Sequence, residues 1–251
     1  MNPPATETRP TAPAARRRPP EPPPVAVPAL VAVAHGTRDQ RGTAAVRALL
    51  DTVRAMRPEL PVVESYVEIT PPSLASALGG LDRSAVVVPL LLGAGYHVKT
   101  DLPQAIARSG ADAVAAAALG PHALLVDALL DRLAEAGWRA DDTLVLAAAG
   151  SSDPAACTDA RLTAHLLADR TGAWVTTAYL SAARPTLTEA VEALRRTSPA
   201  GRRIAVAPYL LAPGHFYDLV AEVGADLTAA PLGPHEAVAR LVLRRYDAAQ
   251  P

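Results

Sequence analysis

The sequence predicts an α/β protein made of two similar Rossmann-like lobes, each a parallel sheet flanked by helices, facing each other across a cleft. Three observations carry this. From residue 29 onward, short apolar runs alternate with segments of helical spacing. The alternation then repeats at an offset of about 113 residues. Finally, the 251-residue chain is 50% apolar and 20% charged, enough to bury a sizeable core. Strand-helix-strand alternation builds right-handed βαβ units, and these require a parallel sheet covered on both faces.

The elements follow in order. Residues 29–34 form a continuous apolar run, as a fully buried strand does, and Gly36 and Thr37 punctuate its end. Residues 43–56 set Val46, Leu49, Leu50 and Val53 on one helical face, and Pro58 and Pro61 stop that helix. A second strand is expected over 62–67 and a helix over 72–81, entered through the prolines and Ser73. A third strand covers 85–92 with three consecutive valines; Gly93 and Gly95 follow, then a helix near 102–108. Residues 113–118 are a strand weakened by alanines, and 124–136 a long amphipathic helix. Residues 144–149 open the second half as another buried strand.

Four blocks recur in the same order. VAHGTRD (33–39) matches AAAGSSD (147–153), and SYVEITPPSLASAL (65–78) matches AYLSAARPTLTEAV (178–191). VPLLLGAGYH (88–97) matches APYLLAPGHF (207–216), and LGPH occurs at 119–122 and again at 232–235. The expected organisation is therefore a tail at 1–24, a first α/β lobe at 25–140 carrying the chemistry, and a duplicated scaffold lobe at 141–251. The tail is proline-rich without apolar periodicity, which predicts disorder. Arg16 to Arg18 followed by an apolar stretch imitates a secretory signal, but PPEPPP separates the two and Pro28 interrupts the stretch.

Composition excludes several classes. Basic and acidic residues number 24 and 25, so the basic excess of a nucleic-acid binder is missing. One cysteine, Cys157, leaves no intramolecular disulfide and no thiolate zinc pair, and favours a cytoplasmic setting. No apolar run is long enough to cross a bilayer. The expected state is a monomer or homodimer.

Ligand sites of parallel sheets lie outside the carboxyl ends of the strands. His35 follows the first strand, Glu68 the second, and His97 the third within GAGYHVKTD. Two imidazoles and a carboxylate suit a first-row divalent metal and can move protons near neutral pH. The repeat supplies a control. The matching positions hold Ala149, Ser181 and, without a gap, Phe216, with His215 one place off. Groups needed for folding belong in both lobes, whereas groups needed for chemistry can sit in one. His122 and His235, inside LGPH, read as structural residues at helix starts, and His165 as a mid-helix residue. Gly93-Ala94-Gly95 fails the dinucleotide pattern, because its last position is Val98. The single lysine, Lys99, together with Arg38 and Arg41, places cations on the same rim, suited to a ligand with several carboxylates.

AHGTRD after the first strand, YVE after the second and GAGYHVKTDLP after the third resemble the sirohydrochlorin chelatases of the class II, ATP-independent family. The resemblance covers nearly everything after the tail and implies the class II chelatase fold. It implies insertion of Co²⁺ or Fe²⁺ into sirohydrochlorin, or a closely related tetrapyrrole, in cobalamin or sirohaem synthesis. It further implies that His35 and His97 bind the metal and act as bases, that Glu68 assists, and that Gly93, Ala94, Gly95 and Tyr96 lie against the macrocycle. Arg38, Lys99 and His215 are further candidates for substrate contact. No nucleotide and no cofactor beyond the substrate metal is expected, in keeping with the missing P-loop. Two alternatives stand beside this: a metal or tetrapyrrole carrier without turnover, and a histidine phosphatase, which lacks its clamping Arg because Ala34 precedes His35.

Overall fold

The computed structural model describes residues 27–95 and 97–250, without the side chains of His97 and Lys99. The expected tail at 1–24 and Tyr96 lie outside the described residues. The first half runs β1 (Ala29–Ala34), α1 (Gln40–Met56), β2 (Val62–Tyr66), α2 (Leu74–Gly79) and β3 (Ala85–Pro89). A π-helical turn (His97–Asp101) then leads into α3 (Leu102–Ser109), β4 (Ala113–Ala115) and α4 (Ala123–Glu135). The second half repeats the order: β5 (Thr143–Ala148), α5 (Pro154–Thr171), β6 (Val175–Tyr179), α6 (Leu187–Thr197), β7 (Ile204–Tyr209), α7 (His215–Glu222), β8 (Leu227–Thr228) and α8 (Glu236–Ala248). The strands form two four-stranded parallel sheets of identical order, β2-β1-β3-β4 and β6-β5-β7-β8.

Local chemistry explains where elements begin. α1 starts three residues earlier than its apolar spacing predicts, because Asp39 caps it and accepts the Arg41 N–H at 2.8 Å. Gly42, which looks like a breaker, sits in that first turn where backbone freedom costs little. α2 is shorter than expected and begins after Ser73, whose hydroxyl accepts the Ser76 N–H. His122 and His235 are the N-caps of α4 and α8, their Nδ1 atoms accepting from Leu124 and Ala237 N–H at 3.1 Å. His165 is exposed on α5.

The duplication is visible in unusual backbone. Gly36 and Gly150 both have positive φ, +100° and +88°, and each lies against a carbonyl, that of Glu68 and Ser181 respectively. A Cβ at either glycine would collide with that oxygen. Ile69 and Ala182 follow, both at positive φ (66° and 52°). Pro89 pairs with Val33 as Pro208 pairs with Ala147, which aligns β3 with β7. The halves differ most after these strands: 23 residues (90–112) join β3 to β4, and 17 (210–226) join β7 to β8. The longer connection contains the π-helical turn that starts at His97.

The core does not divide where the repeat does. α8 packs on α1 and β3, and α4 packs on β7 and α5. Tyr246 of α8 is 1% exposed and its hydroxyl donates to the Pro28 carbonyl at 2.6 Å. Arg57 pairs with Asp247, and Arg245 donates to the Leu119 carbonyl at 2.9 Å. One apolar cluster therefore runs through both halves, from Leu30 and Val53 to Leu241 and Tyr246. This fixes the relation of the two sheets and the width of the gap between their strand ends.

Candidate active site

A cavity of about 980 Å³ lies between the carboxyl ends of the two sheets. Its size is at the upper end of the range of small-molecule sites. The first lobe lines it at the ends of β1 and β3, including His35, Arg38, Gly93 and Gly95. The second lobe lines it at the ends of β5 and β7, including Ala149, Cys157 and His215. Most of the wall is apolar.

His35 leaves the buried β1 directly into this cavity. Its Nδ1 lies 3.2 Å from Glu68 Oε1, and both side chains are about half exposed (52% and 51%). The crossing at Gly36 brings them together: the Glu68 N–H donates to the His35 carbonyl at 3.1 Å, and only glycine leaves room for the Glu68 carbonyl. A carboxylate beside one imidazole nitrogen is the arrangement found behind most metal-binding histidines. Glu68 thus reaches the cavity through His35. Ser181 keeps the backbone bond to Ala149 at 2.9 Å in the second lobe, but its hydroxyl turns back onto the same carbonyl. The frame is the same and the donors are gone.

His97 begins the π-helical turn, immediately after the glycine loop. Such turns are frequent at functional sites, where they shift a side chain by one position. The side chains of His97 and Lys99, and all of Tyr96, lie outside the described residues, so the described convergence is that of His35 and Glu68. Among the described residues no group of three metal-ligating side chains occurs.

The glycine loop divides its work. Gly93 and Gly95 line the cavity, whereas the Ala94 N–H donates to Asp159 Oδ2 of α5 at 2.8 Å. Arg41 is not available to a ligand as the sequence suggested. Its guanidinium holds Asp39 at 2.6 Å and Asp218 of α7 at 2.7 Å, bridging the lobes at the rim. That hydrogen bonding keeps Asp39 below the usual carboxylate range. Arg38 remains on the cavity wall. Sequence reading missed Tyr66 and Tyr209, two of the four described tyrosines on the wall, although both lie in repeated blocks. Burial raises both above the ordinary phenol value, so they stay protonated donors, Tyr66 to Glu64 Oε1 and Tyr209 to the Leu92 carbonyl.

Comparison with known proteins settles the ancestry. Residues 29–136 and 143–249 each match the CbiX family. The chain belongs to that family. The two matches are the two halves of the repeat, so the lobes are two copies of one family unit. Sirohydrochlorin ferrochelatase of Priestia megaterium is 31% identical over 201 residues, covering 74% of each chain. The structure of SirB from Bacillus subtilis with Fe³⁺ has a TM-score of 0.77 at 24% identity, covering 88% of this chain and 94% of its own. CbiX, described as the terminal enzyme of sirohaem biosynthesis in denitrifying bacteria, has a TM-score of 0.67 at 22% identity, covering 89% and 100%. The expected class II chelatase fold and the resemblance to the two-lobe sirohydrochlorin chelatases are borne out. Members of this family are ATP-independent lyases that insert iron or cobalt into sirohydrochlorin.

Proposed function

We propose that this chain inserts Fe²⁺ or Co²⁺ into sirohydrochlorin in the cytoplasm, with His35 and His97 as metal ligands and Glu68 as the residue that orients His35 and takes up protons. The observation that carries this reading is the His35–Glu68 pair at 3.2 Å on the wall of an interlobe cavity. The reaction removes water from M²⁺ and two N–H protons from the macrocycle. A neutral imidazole replaces lost water ligands, and the carboxylate behind it stabilises the imidazole as positive charge approaches. When the metal passes to the ring nitrogens, His35 and His97 are released as bases and can each accept one of the two pyrrole protons, with Glu68 beside His35 to hold the charge.

The macrocycle lies between the lobes. Gly93 and Gly95 let its face approach the backbone, and Arg38 answers a peripheral carboxylate. Tyr96, Lys99 and His215 complete the proposed substrate contacts, His215 from across the cleft; Ala94, expected among them, is off the cavity wall and bonded to Asp159. The apolar wall excludes water from the metal until transfer. The second lobe closes the site without supplying ligands, consistent with Ala149 and Ser181. No nucleotide takes part.

The test is absorbance of sirohydrochlorin with Co²⁺ or Fe²⁺, without ATP, at substrate in large excess over protein. Multiple turnovers are expected. A single stoichiometric burst would instead make the protein a carrier.

A further inference from the structure

Divergence between the lobes runs in both directions. The paired caps Asp39 and Asp153 and the paired Pro89 and Pro208 set Asp159 opposite Ala45, Thr163 opposite Leu49, and Tyr209 opposite Leu90. Leu49 and Leu90 are buried apolar residues, 1% and 2% exposed. Their counterparts Thr163 and Tyr209 are equally buried, 0% and 4% exposed, yet polar. Burying polar groups costs stability unless they are hydrogen-bonded, so their partners show what they are for.

Thr163 bonds back within its own helix, whereas the partner of Tyr209, like that of Asp159, lies at the first lobe's glycine loop. Tyr209 Oη donates to the Leu92 carbonyl at 2.9 Å, and Asp159 Oδ2 accepts the Ala94 N–H at 2.8 Å. Thr163 Oγ1 donates to the Asp159 carbonyl at 3.0 Å, one turn further along α5. Gly120 completes the clamp. A Cβ there would strike both Tyr209 Oη and the Leu92 carbonyl, whereas Gly233, its counterpart in the repeat, meets nothing closer than 3.6 Å. The reverse clamp cannot exist, because Ala94 corresponds to Pro213, which has no N–H. In that direction the lobes are tied instead by Arg41 and Asp218, a pair of exposed side chains. The loop of the second lobe is stiffened by Pro213. The loop of the first lobe has glycine at 93 and 95 and draws its restraint from outside.

We infer that Asp159 and Tyr209 are positioning residues: from the second lobe they hold the Leu92–Ala94 backbone, and so the turn that begins at His97, in place on the cleft. The inference rests on the proposed role of His97 in metal binding. Neither residue supplies a ligand. Each fixes a point of the chain within five residues of one, where a misplacement on the ångström scale costs rate steeply. The second lobe is then a working part of the metal site and not only the far wall of the cavity.

The test uses Asp159→Ala, Asp159→Asn and Tyr209→Phe in the full chain, with three readouts: melting temperature, steady-state kcat and KM for sirohydrochlorin, and Co²⁺ affinity without tetrapyrrole. Asp159→Ala is expected to lower kcat about 10- to 100-fold and to weaken Co²⁺ binding, with KM for sirohydrochlorin changed by less than about threefold. Asp159→Asn keeps a carbonyl oxygen for the Ala94 N–H and should restore kcat to within about threefold of wild type. Tyr209→Phe should lower kcat about threefold to tenfold in the same direction. Wild-type kcat and Co²⁺ affinity in both Asp159→Ala and Tyr209→Phe, with or without a lower melting temperature, would overturn the inference and leave the residues as mere packing. If Asp159→Ala does not fold, Tyr209→Phe and Asp159→Asn decide: wild-type kcat in Tyr209→Phe, or a collapse of kcat in folded Asp159→Asn, overturns it. Failure of the wild-type protein to metallate sirohydrochlorin would instead overturn the proposed function.

Discussion

The first lobe sets His35 against Glu68 at the ends of its strands, whereas the second holds Ala149 and Ser181 on the same backbone. The glycine crossing, the positive-φ residue after it, the strand register and the helix caps are common to both. What is shared is backbone and packing, and what differs is the set of polar side chains at the strand ends. The comparison teaches that the two halves share the frame of the site, that the His35–Glu68 pair stands in the first, and that Asp159 and Tyr209 stand in the second, bonded to the other lobe's loop.

The sharpest way to break that comparison is to remove the donors. His35→Ala should cut metal insertion about 100- to 10,000-fold while stability changes within about 1 kcal/mol, because the side chain is half exposed. Turnover followed by absorbance, with thermal melting beside it, checks both halves of the statement. Glu68→Gln keeps the shape but removes the charge behind His35, and a loss of about 10- to 100-fold is expected. An unchanged rate would mean that Glu68 only caps the loop.

The paired glycines sharpen the comparison. Gly36→Ala and Gly150→Ala force the same collision with the same carbonyl and should each destabilise on the order of 1–3 kcal/mol. They part in activity: Gly36→Ala displaces Glu68 and should lower kcat in the surviving folded protein, whereas Gly150→Ala should leave kcat near wild type. Equal kcat losses at equal folded fraction would contradict the assignment of chemistry to one lobe.

The helix caps give the smallest effect. Burial, then Arg245 and Arg244, hold His122 below its usual value of 6.5. A depressed histidine contributes stability that is complete above the unfolded value, near 6.5, and lost as pH falls through the folded value. Protonation also takes away the Nδ1 acceptor of the Leu124 N–H. His122→Asn, a non-titrating cap, should therefore flatten the acid limb. Between pH 8 and pH 5 the wild type should lose more stability than the variant, with the loss falling below pH 6.5. Parallel melting curves across that range would refute this.

Much of this was legible in sequence, for reasons that differ by element. β1 and β3 are central strands buried on both faces, so they read as continuous apolar runs. α1 was legible from Val46, Leu49, Leu50 and Val53, although Gly42 hid its first turn. Residues 113–118 shrink to a three-residue edge strand because alanines pack little. His35 and Glu68 were legible because each follows a strand and changes chemistry in the repeat. Asp159 and Tyr209 were not: each changes chemistry in the repeat, Ala45 to Asp159 and Leu90 to Tyr209, but the partners that give the change meaning lie 65 and 117 residues away. The same holds for Arg41, which reads as an open rim cation until folding brings Asp218 to it. The π-helical turn at His97 leaves no periodic signal over five residues.

The most direct test of the account compares one histidine from each lobe. His97→Ala and His215→Ala are assayed side by side for kcat and KM with sirohydrochlorin and Co²⁺. His215 is an exposed residue at the start of α7 and has Ala149 and Ser181 where a ligand would need partners. Its loss should raise KM a few-fold and leave kcat within about threefold, whereas His97→Ala should end turnover. A dead His215→Ala beside an active His97→Ala would place the chemistry in the wrong lobe and contradict the account.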